Sequence, residues 1–582
     1  MEPATDQTSG SGGGVRRWGP IIAIVVVAAI VAALVLTGGD DEEASDDGGD
    51  SGPTEEATDV TTEDGDPIYP FSWADGEASG LTSELEWGER CDAELGTLAV
   101  PVAGAPPCYL PFEGDNGGAT DDGVTADTIK IVQYLGPEQD PVIKYVTDAI
   151  AVDDTHAQRK DTEDKLVDLL QTYYETYGRK VELEYYVSQG LASDATTARA
   201  DAVKVAEDIK PFLVLGGPAL TQAFGEELAE RGVQCIGCGG GNQEEREARA
   251  PYGIGLGLTS EQLRAHNVEV LSKQVAGRPA EFAGDTEYQD KERTFAYLHI
   301  ETDDPAAAAN VQATLDALEE AGVPVVEEVP YALDPGTLQE TAANAIAQLK
   351  DADVTTVIFA GDPVAPREFT REATKQEYFP EWYLNISALV DTNAFARTYD
   401  QEQWKHAFGL TALAARVDPE KAGVRYLYEW FYGEEPAAPG YVEVTLAGPL
   451  ALFTVLQEAG PNLTHESFAE ALFRLEPSPS RLTAPSLSWG QHGRWPGIEG
   501  DDWEGVDDIT KIWWDPEAVG LDELRKEGAG LWRFIDGGQR YLAGEWPEED
   551  FGAFDEEGTS TIYEEVPDAE APPGYEPLAP GS

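Results

Sequence analysis

Apolar and polar positions follow two different periods along this chain, and segments of the two kinds alternate. One kind has apolar residues at every third or fourth position, which is the period of a helix with one buried face. The other kind, which lies between these segments, is a short run of apolar residues. Short apolar runs predict buried strands. They occupy residues 128–135, 180–187, 211–217, 233–238, 293–300, 324–331, 354–362, 381–387 and 406–412.

The helical segments complete a regular strand–helix order. In the segment 157–178, positions 166, 169, 170, 173 and 177 are all Leu or Tyr and share one face. Another helix is predicted to follow Asp334, with Asp334 as its cap and Pro335 at its first position. Such alternation predicts parallel α/β architecture. Because the order restarts after residue 290, we expect two similar halves joined by segments near 253–260 and 410–417.

The N-terminus has a different pattern. Residues 18–37 form one uncharged apolar run, which would span about 30 Å as a helix and could cross a bilayer core. Arg16 and Arg17 precede it, and no Lys or Arg follows until Arg90. The positive-inside rule then predicts a single-pass anchor in the cell membrane, with the N-terminus cytoplasmic and the remainder extracytoplasmic. A cleaved signal peptide and a buried core helix are the alternatives.

Charge narrows the possible partners. Asp and Glu total 110 against 38 Lys and Arg, a formal net charge of −72. Nucleic acid is not an expected partner, because phosphate binding needs a basic surface. The charge favours solubility, and attraction of cationic solutes or metal ions is a second interpretation. Residues 38–66 are so acidic and polar that they are expected to form an extended, disordered tether.

The four cysteines fall into two close pairs. Cys91 and Cys108 form the first, and Cys235 and Cys238 form a C-x-x-C motif. Outside the cytoplasm disulfides are the expected state, and proximity favours these two pairings among the three that are possible. For the C-x-x-C pair, a zinc site and a thioredoxin-like redox role are weaker alternatives.

Open parallel sheets bind ligands beyond the carboxyl ends of their strands. Glycines there let backbone N–H groups approach an anion, and the helix N-termini that follow favour negative charge. The candidates are Gly217, Thr221 and Gly239 for an anionic group, Glu301, Asp303 and Asp362 for a cationic group, Tyr134 for stacking, and Asn242 and Ser387 at two further strand ends.

Signatures of enzymes are weak. The sequence has no phosphate loop, no H-E-x-x-H motif and no G-x-S-x-G elbow. His299 lies in a predicted buried strand, which favours a hydrogen-bonded core residue over a ligand. We expect no catalytic residues, no metal site and no cofactor. The tryptophans near the C-terminal end of the fold are expected to pack rather than to stack on a ring or sugar; they are Trp489, Trp495, Trp503, Trp513 and Trp514.

Several segments resemble the type I periplasmic binding proteins, in particular the branched-chain amino-acid-binding family that serves ABC importers. GVTADTIKI at 123–131 resembles the opening strand, and residues 331–363 resemble the second lobe. Residues 444–460 (VTLAGPLALFTVLQEAG) resemble the return helix, and 487–516 the closing strands. Residues 91–125 are similar to the leader of actinobacterial substrate-binding proteins of this class. The resemblance covers roughly residues 91–520.

The resemblance implies two Rossmann-like lobes with parallel sheets, joined by a three-segment hinge and here preceded by one transmembrane helix. The divisions expected are a cytoplasmic segment 1–17, an anchor 18–37, an acidic disordered tether 38–80, a leader with a cysteine pair 81–124, lobe 1 in 125–257 with its return in 413–485, lobe 2 in 258–412, closing strands and C-terminal packing in 486–540, and an acidic disordered tail 541–582.

The resemblance to this family also implies a function. A family member binds a small polar solute (amino-acid, amide or peptide-like) between its lobes and delivers it to an ABC permease. In amino-acid-binding members, hydroxyls after the third and fourth strands hold the ligand carboxylate. Here the first of those loops offers only Thr221, and the second, GCGGGNQEE, offers none, which disfavours an α-amino acid. The alternative is a ligand-sensing or partner-binding module of the same fold without transport.

Overall fold

The computed structural model describes residues 60–62, 65–218, 220–301, 305–387 and 389–580. The predicted anchor at 18–37, most of the tether and the candidate Asp303 lie outside the described residues. Within that described part, one helical stretch, Val442–Ala459, is long and apolar enough to span a membrane. Most of it is buried inside the protein, so it is a core helix of the domain.

The leader forms a small unit closed by the disulfide Cys91–Cys108. Phe71 and Trp87 pack beside that disulfide and form its core. Residues 65–80, which the sequence assigned to the tether, are therefore folded onto this unit, since Phe71 is fully buried. The elements of the leader are α1 (Trp73–Ser79), β1 (Cys91–Asp92) and β2 (Thr97–Leu98), the two strands antiparallel.

Lobe 1 is a five-stranded parallel sheet with helices between its strands. Its first two strands lie at residues 128–135 and 180–187, as the apolar runs predict. The first part of the lobe contains β3 (Thr128–Leu135), α2 (Pro141–Ala149), α3 (His156–Tyr173), β4 (Lys180–Val187), α4 (Ala195–Lys204), β5 (Leu213–Leu215), α5 (Ala223–Glu230), β6 (Gln234–Ile236), α6 (Gln243–Arg249) and β7 (Gly253–Ile254).

Lobe 2 repeats the same plan. All six residues of its first strand are buried, because helices cover both faces of the sheet. Its elements are α7 (Ser260–Val270), β8 (Phe295–Ile300), α8 (Pro305–Glu320), β9 (Val325–Tyr331), α9 (Leu338–Asp351), β10 (Thr356–Ala360), α10 (Pro366–Lys375), β11 (Glu381–Asn385), α11 (Asn393–Ala396), α12 (Gln401–Trp404) and β12 (Ala407–Thr411).

The chain then returns to lobe 1 and finally adds antiparallel strands to the sheet of lobe 2. The five tryptophans near this end, from Trp489 to Trp514, are all buried, so they pack in the core. The elements are β13 (Arg416–Val417), α13 (Val424–Tyr432), α14 (Val442–Thr445), α15 (Ala447–Ala459), α16 (His465–Arg474), β14 (Asp508–Leu521), β15 (Glu527–Phe534), β16 (Arg540–Leu542) and β17 (Ile562–Tyr563).

The two sheets share one strand order. In lobe 1 the order is β4-β3-β5-β6-β7, and in lobe 2 it is β9-β8-β10-β11-β12, followed by the antiparallel β14 and β15. All pairs within the two five-strand units are parallel. This is a doubly wound order that reverses direction between the first and third strands.

Three segments connect the lobes, at residues 255–259, 412–415 and 475–507. They are tied to one another by charged side chains. Glu504 accepts the N–H of Gly257 at 2.9 Å, and its carboxylate also pairs with the buried Arg246. Arg540 donates to the carbonyls of Ala412 and Leu413 at 3.0 and 2.9 Å and to Asp508 at 2.7 Å. The hinge region is thus a closely bonded bundle of segments.

Local departures from the predicted elements have identifiable causes. Asp334 does not cap a helix: its Oδ1 accepts the N–H of Gly336 in a turn, and α9 begins only at Leu338. The predicted disordered tail is packed on the domain over its described part, up to residue 580. Trp546 and Phe551 are buried there, because these aromatic side chains pack against apolar residues of the folded lobes.

Candidate functional site in the interlobe cleft

The carboxyl ends of the strands of both sheets lie at the cleft between the lobes. In each sheet the reversal of strand order leaves a crevice, in lobe 1 between β3 and β5 and in lobe 2 between β8 and β10. The residues that follow these strands are therefore the candidates for contact with a ligand.

The candidates that follow β5 and β6 lie close together. A Cβ on Gly217 would lie 3.3 Å from the Cα of Cys238, and the Sγ of Cys238 lies 3.0 Å from the carbonyl oxygen of Gly216. The disulfide Cys235–Cys238, which the spacing predicts, joins the end of β6 to this loop. It closes the start of the loop after β6, and Cys238 lies against the loop after β5 at the cleft edge.

Three further candidates of lobe 1 have structural partners. Asn242 caps α6 by accepting the N–H of Glu245 at 2.8 Å, and Thr221 accepts the N–H of Ala223 at 3.3 Å. The ring of Tyr134 lies 4.8 Å from that of Phe224, within the apolar layer between the sheet and helices α4 and α5. Burial raises the pKa of Tyr134 to about 12, so its phenol is neutral.

The loop between β6 and α6 relies on glycine and on a buried arginine. Gly239 has a φ of +106°, and a Cβ there would lie 3.6 Å from Nη1 of Arg249. Arg249 is buried and donates from Nη2 to the carbonyl of Gly240 at 2.6 Å. Burial is the main cause that lowers the pKa of Arg249 to about 10, with Arg246 nearby as a second cause. The guanidinium therefore stays charged, and its bond to the Gly240 carbonyl holds the loop in place.

The candidates of lobe 2 differ in exposure. Asp362 is buried and accepts bonds from the Tyr331 hydroxyl at 2.6 Å and from two backbone N–H groups, those of Val364 and Ala365. Burial raises its pKa, although these bonds oppose the rise. Ser387 donates to the carbonyl of Phe359 at 2.8 Å, whereas the side chain of Glu301 is exposed.

Helix α2 enters the cleft from lobe 1, and the pattern of apolar runs does not predict it. Asp140 caps it, accepting the N–H groups of Val142 and Ile143 at 2.9 and 3.1 Å, and Pro141 occupies its first turn. Asp140 followed by Pro141 is a helix-start signal that the sequence carried. The other carboxylate oxygen of Asp140 accepts the N–H of Ala192 at 2.7 Å, which fixes the helix to the loop after β4.

The apolar face of α2 meets lobe 2. Val142 is buried in the same apolar cluster as Leu333, Val364 and Ala365 of lobe 2, and Val146 packs against that cluster. The lobes are therefore in contact across α2, and a solute that enters between them must displace or border this helix.

Arg367 of lobe 2 supplies a positive charge beside α2. It lies in the first turn of α10, just beyond the carboxyl end of β10. Its Nε is buried without a hydrogen-bond partner, and the nearest carboxylate oxygen, that of Glu368, is 4.0 Å away. Burial raises the pKa of Tyr145 on α2, and Arg367 opposes that rise. The residue is thus a candidate donor to an anionic group, which sequence reasoning did not identify.

A second contact between the lobes lies at the tip of the β14–β15 hairpin. Arg525 donates from Nη1 to both carboxylate oxygens of Glu429 on α13 at 2.8 Å, and from Nε to the carbonyl of Pro419 at 2.9 Å. Lys526 donates to the carbonyl of Ile150, just after α2, at 2.8 Å. The hairpin of lobe 2 is thereby attached to lobe 1.

The histidine and acidic residues do not converge on a metal site. Among the described residues, no group of three or more His, Cys, Asp or Glu side chains has the arrangement that could hold a metal ion. His299 is buried and bonded to the Ile300 carbonyl and to Glu328, at 3.0 and 3.1 Å. It is a hydrogen-bonded residue of the strand.

Similar solved structures come from several bacteria. A solute-binding protein of an ABC transporter from R. palustris, in complex with 4-hydroxybenzoate, is 14% identical, with a TM-score of 0.49 over 72% of this chain and 98% of that one. A fatty acid ABC transporter substrate-binding protein from Thermomonospora curvata is 14% identical, with a TM-score of 0.47 over 74% and 97%. The branched-chain amino acid protein LivJ from Streptococcus pneumoniae, with isoleucine, is 12% identical, with a TM-score of 0.45 over 69% and 99%.

Sequence comparison gives the family directly. No curated protein sequence matches the chain. The family model described as periplasmic binding protein matches residues 168–490, a range that includes strands of both lobes, the first two connecting segments and the return helices. Since that match covers more than half of the chain, the protein belongs to the periplasmic binding protein family, in its type I, branched-chain amino-acid-binding-like branch.

Proposed function

We propose that this protein is the solute-binding component of an ABC importer, held at the outer face of the cell membrane by residues 18–37. It captures a small polar solute between its lobes and presents the closed form to a permease. The observation that carries the proposal is the pair of matching sheets, whose crevices open into one cleft. Membership of a family of extracytoplasmic binding proteins supports it, as do the two disulfides.

The chemistry of the cleft favours a solute with an anionic group. Arg367 provides a cation with an unpaired, buried N–H, and the loops at Gly217 and Gly239 allow close approach of backbone N–H groups. Asp362 is already bonded to Tyr331 and to backbone N–H groups, so we do not assign it a cationic partner. Glu301 and Asp303 are retained as candidates for a cationic group, which together with Arg367 would suit a zwitterion.

A thermal-shift screen tests the proposal. Amino acids, amides, aromatic acids, polyamines and short peptides would be added to the domain from residue 60 onward. A solute present at one hundred times its Kd adds about 2.7 kcal/mol to the free energy of unfolding of the protein, so the Tm of the protein should rise. Isothermal titration then measures the stoichiometry, expected to be one solute per chain. Failure of every solute class to raise the Tm would contradict a binding function.

A further inference from the structure

The last described residues, 543–580, run from lobe 2 across the hinge to lobe 1; we call this segment the strap. The sequence predicts disorder here because the strap carries many acidic residues, no basic ones, and no apolar period. The structure gives it three sets of contacts, one on each lobe and one on the hinge.

The first contacts are on lobe 2. Trp546 is buried, donates from Nε1 to Nδ1 of His266 on α7 at 3.0 Å, and accepts at its carbonyl from Nζ of Lys273 at 2.8 Å. Further along, the ring of Phe551 lies 4.9 Å from that of Phe408 on β12. Burial of these two aromatic side chains attaches the strap firmly, since each removes a large apolar area from water.

The second contacts are on the connecting segments. Strand β17 pairs in parallel with β13, which follows the second segment directly. Glu570 accepts bonds from the N–H of Leu482 at 2.7 Å and from the hydroxyl of Thr483 at 2.5 Å, both in the third segment. The strap therefore bonds to the third segment and to the strand that directly follows the second, where the lobes must turn.

The third contacts are on lobe 1 and the leader. Trp430 on α13 donates to the carbonyl of Tyr575 at 2.9 Å, and the Tyr575 hydroxyl donates to Asp92 at 2.8 Å. Burial and the Asp92 carboxylate raise the pKa of Tyr575 well above its ordinary value, so the phenol remains a donor. The N–H of Leu578 donates to the hydroxyl of Tyr173 on α3 at 3.1 Å.

From these contacts we propose that the strap restrains the rotation of one lobe against the other. Hinge rotation requires the connecting segments to change their backbone angles. A strap bonded to those segments and fixed to both lobes must lose some of its contacts when they do. The strap thus sets how far the lobes of the free protein open. This goes beyond the proposed transport function and requires no particular solute.

Interlobe distances measured by pulsed electron paramagnetic resonance test the proposal. Nitroxide labels would be placed on Glu184→Cys in lobe 1 and Glu340→Cys in lobe 2, both exposed positions. The four native cysteines are paired in disulfides, so the introduced ones react selectively. In the chain ending at Asp568, which lacks Glu570, Tyr575 and Leu578, we expect a distance distribution about twofold broader than in the full chain.

A matched pair of strap variants controls for general damage. Glu570→Gln removes the charge that accepts bonds from the third segment. Its distance distribution should be broader than that of the full chain and narrower than that of the truncated chain. Glu565→Gln makes the same change at a carboxylate that pairs with the exposed Lys421, and should leave the distribution unchanged. A folded truncated chain with the native distribution would overturn the proposal. If the truncated chain does not fold, identical distributions for the two glutamine variants overturn it. No solute is present, so the result does not depend on the proposed function.

Discussion

Arg367 is the single residue whose replacement should report most directly on solute chemistry. Arg367→Gln removes a cation with an unpaired buried N–H at the cleft. We expect roughly tenfold or greater weakening of binding for carboxylate-bearing solutes, because a charge-assisted hydrogen bond contributes about 1.5–3 kcal/mol. Neutral amides should be affected less. Titration calorimetry with the solutes found in the screen measures both.

The matched control is Arg371→Gln, which removes the same charge from the next turn of α10. Arg371 is exposed and paired with Glu368 at 2.9 Å, so its loss should leave the affinity within about twofold, as for other surface ion pairs. Equal losses in the two variants would exclude a direct contact between Arg367 and the solute.

Asp507, in the third connecting segment, is expected to make the stability of the fold depend on pH. It accepts bonds from the hydroxyls of Ser486 and Ser488, both at 2.9 Å, and burial raises its pKa to about 7. Because the folded-state pKa exceeds the unfolded one, its contribution to stability is full below about pH 4 and is lost as the pH rises to 7. Asp507→Asn should remove this loss, since serine hydroxyls can also accept from an amide.

The free energy of unfolding, from urea denaturation at pH 5 and pH 8, measures that difference. The variant Asp507→Asn should be stabilised relative to the native chain more at pH 8 than at pH 5. The difference in the free energy of unfolding should be on the order of 1–4 kcal/mol. Asp501→Asn, six residues away, is the control and should show the native pH dependence. A native-like pH dependence in Asp507→Asn would mean that this carboxylate does not govern it.

At the scale of elements, the β14–β15 hairpin is a contact between lobes that can be removed separately. Arg525→Ala deletes the two bonds to Glu429 and the bond to Pro419. We expect a loss of about 1–3 kcal/mol in the free energy of unfolding, because the groups are largely buried and charged. Urea denaturation followed by tryptophan fluorescence measures the loss.

Lys405→Ala serves as the control for this contact. Its ion pair with Glu402 lies on the surface of lobe 2 at 2.7 Å, with both side chains exposed, and such pairs contribute about 0–1 kcal/mol. An Arg525→Ala variant no less stable than Lys405→Ala would show that the hairpin contact adds nothing to the stability of the fold.

At the scale of the whole molecule, the net charge of −72 and the apolar run at 18–37 act together. We expect the charge to keep the domain in solution and away from anionic lipid, and we expect membrane association to come from the N-terminal run. The full chain should therefore sediment with membranes and resist extraction by high salt or alkali.

The chain that begins at residue 60 is the control and should be soluble after cell lysis. Protease added to intact spheroplasts should digest the domain of the full chain if the N-terminus is cytoplasmic. Recovery in the soluble fraction of a chain that has lost the apolar run 18–37 would favour the cleaved signal peptide over the anchor.

The sequence alone determined the two α/β lobes, because apolar periodicity is local and both sheets are buried: the runs at 128–135 and 180–187 are the strands β3 and β4. It also predicted the disulfide pairs, since close spacing favours their closure. At the cleft it predicted strand ends such as Gly217 and Asp362, because doubly wound sheets place ligands there.

Only the tertiary structure decided which side chains at those ends are already engaged. Asp362 is bonded to Tyr331, which lies on another strand, and the pattern of apolar residues cannot show such a partner. The same holds for α2 and the strap. Each depends on a few apolar side chains that find surfaces formed by distant parts of the chain, as Trp546 does against His266. Local composition therefore predicted disorder in the strap, whereas contacts across hundreds of residues made it part of the fold.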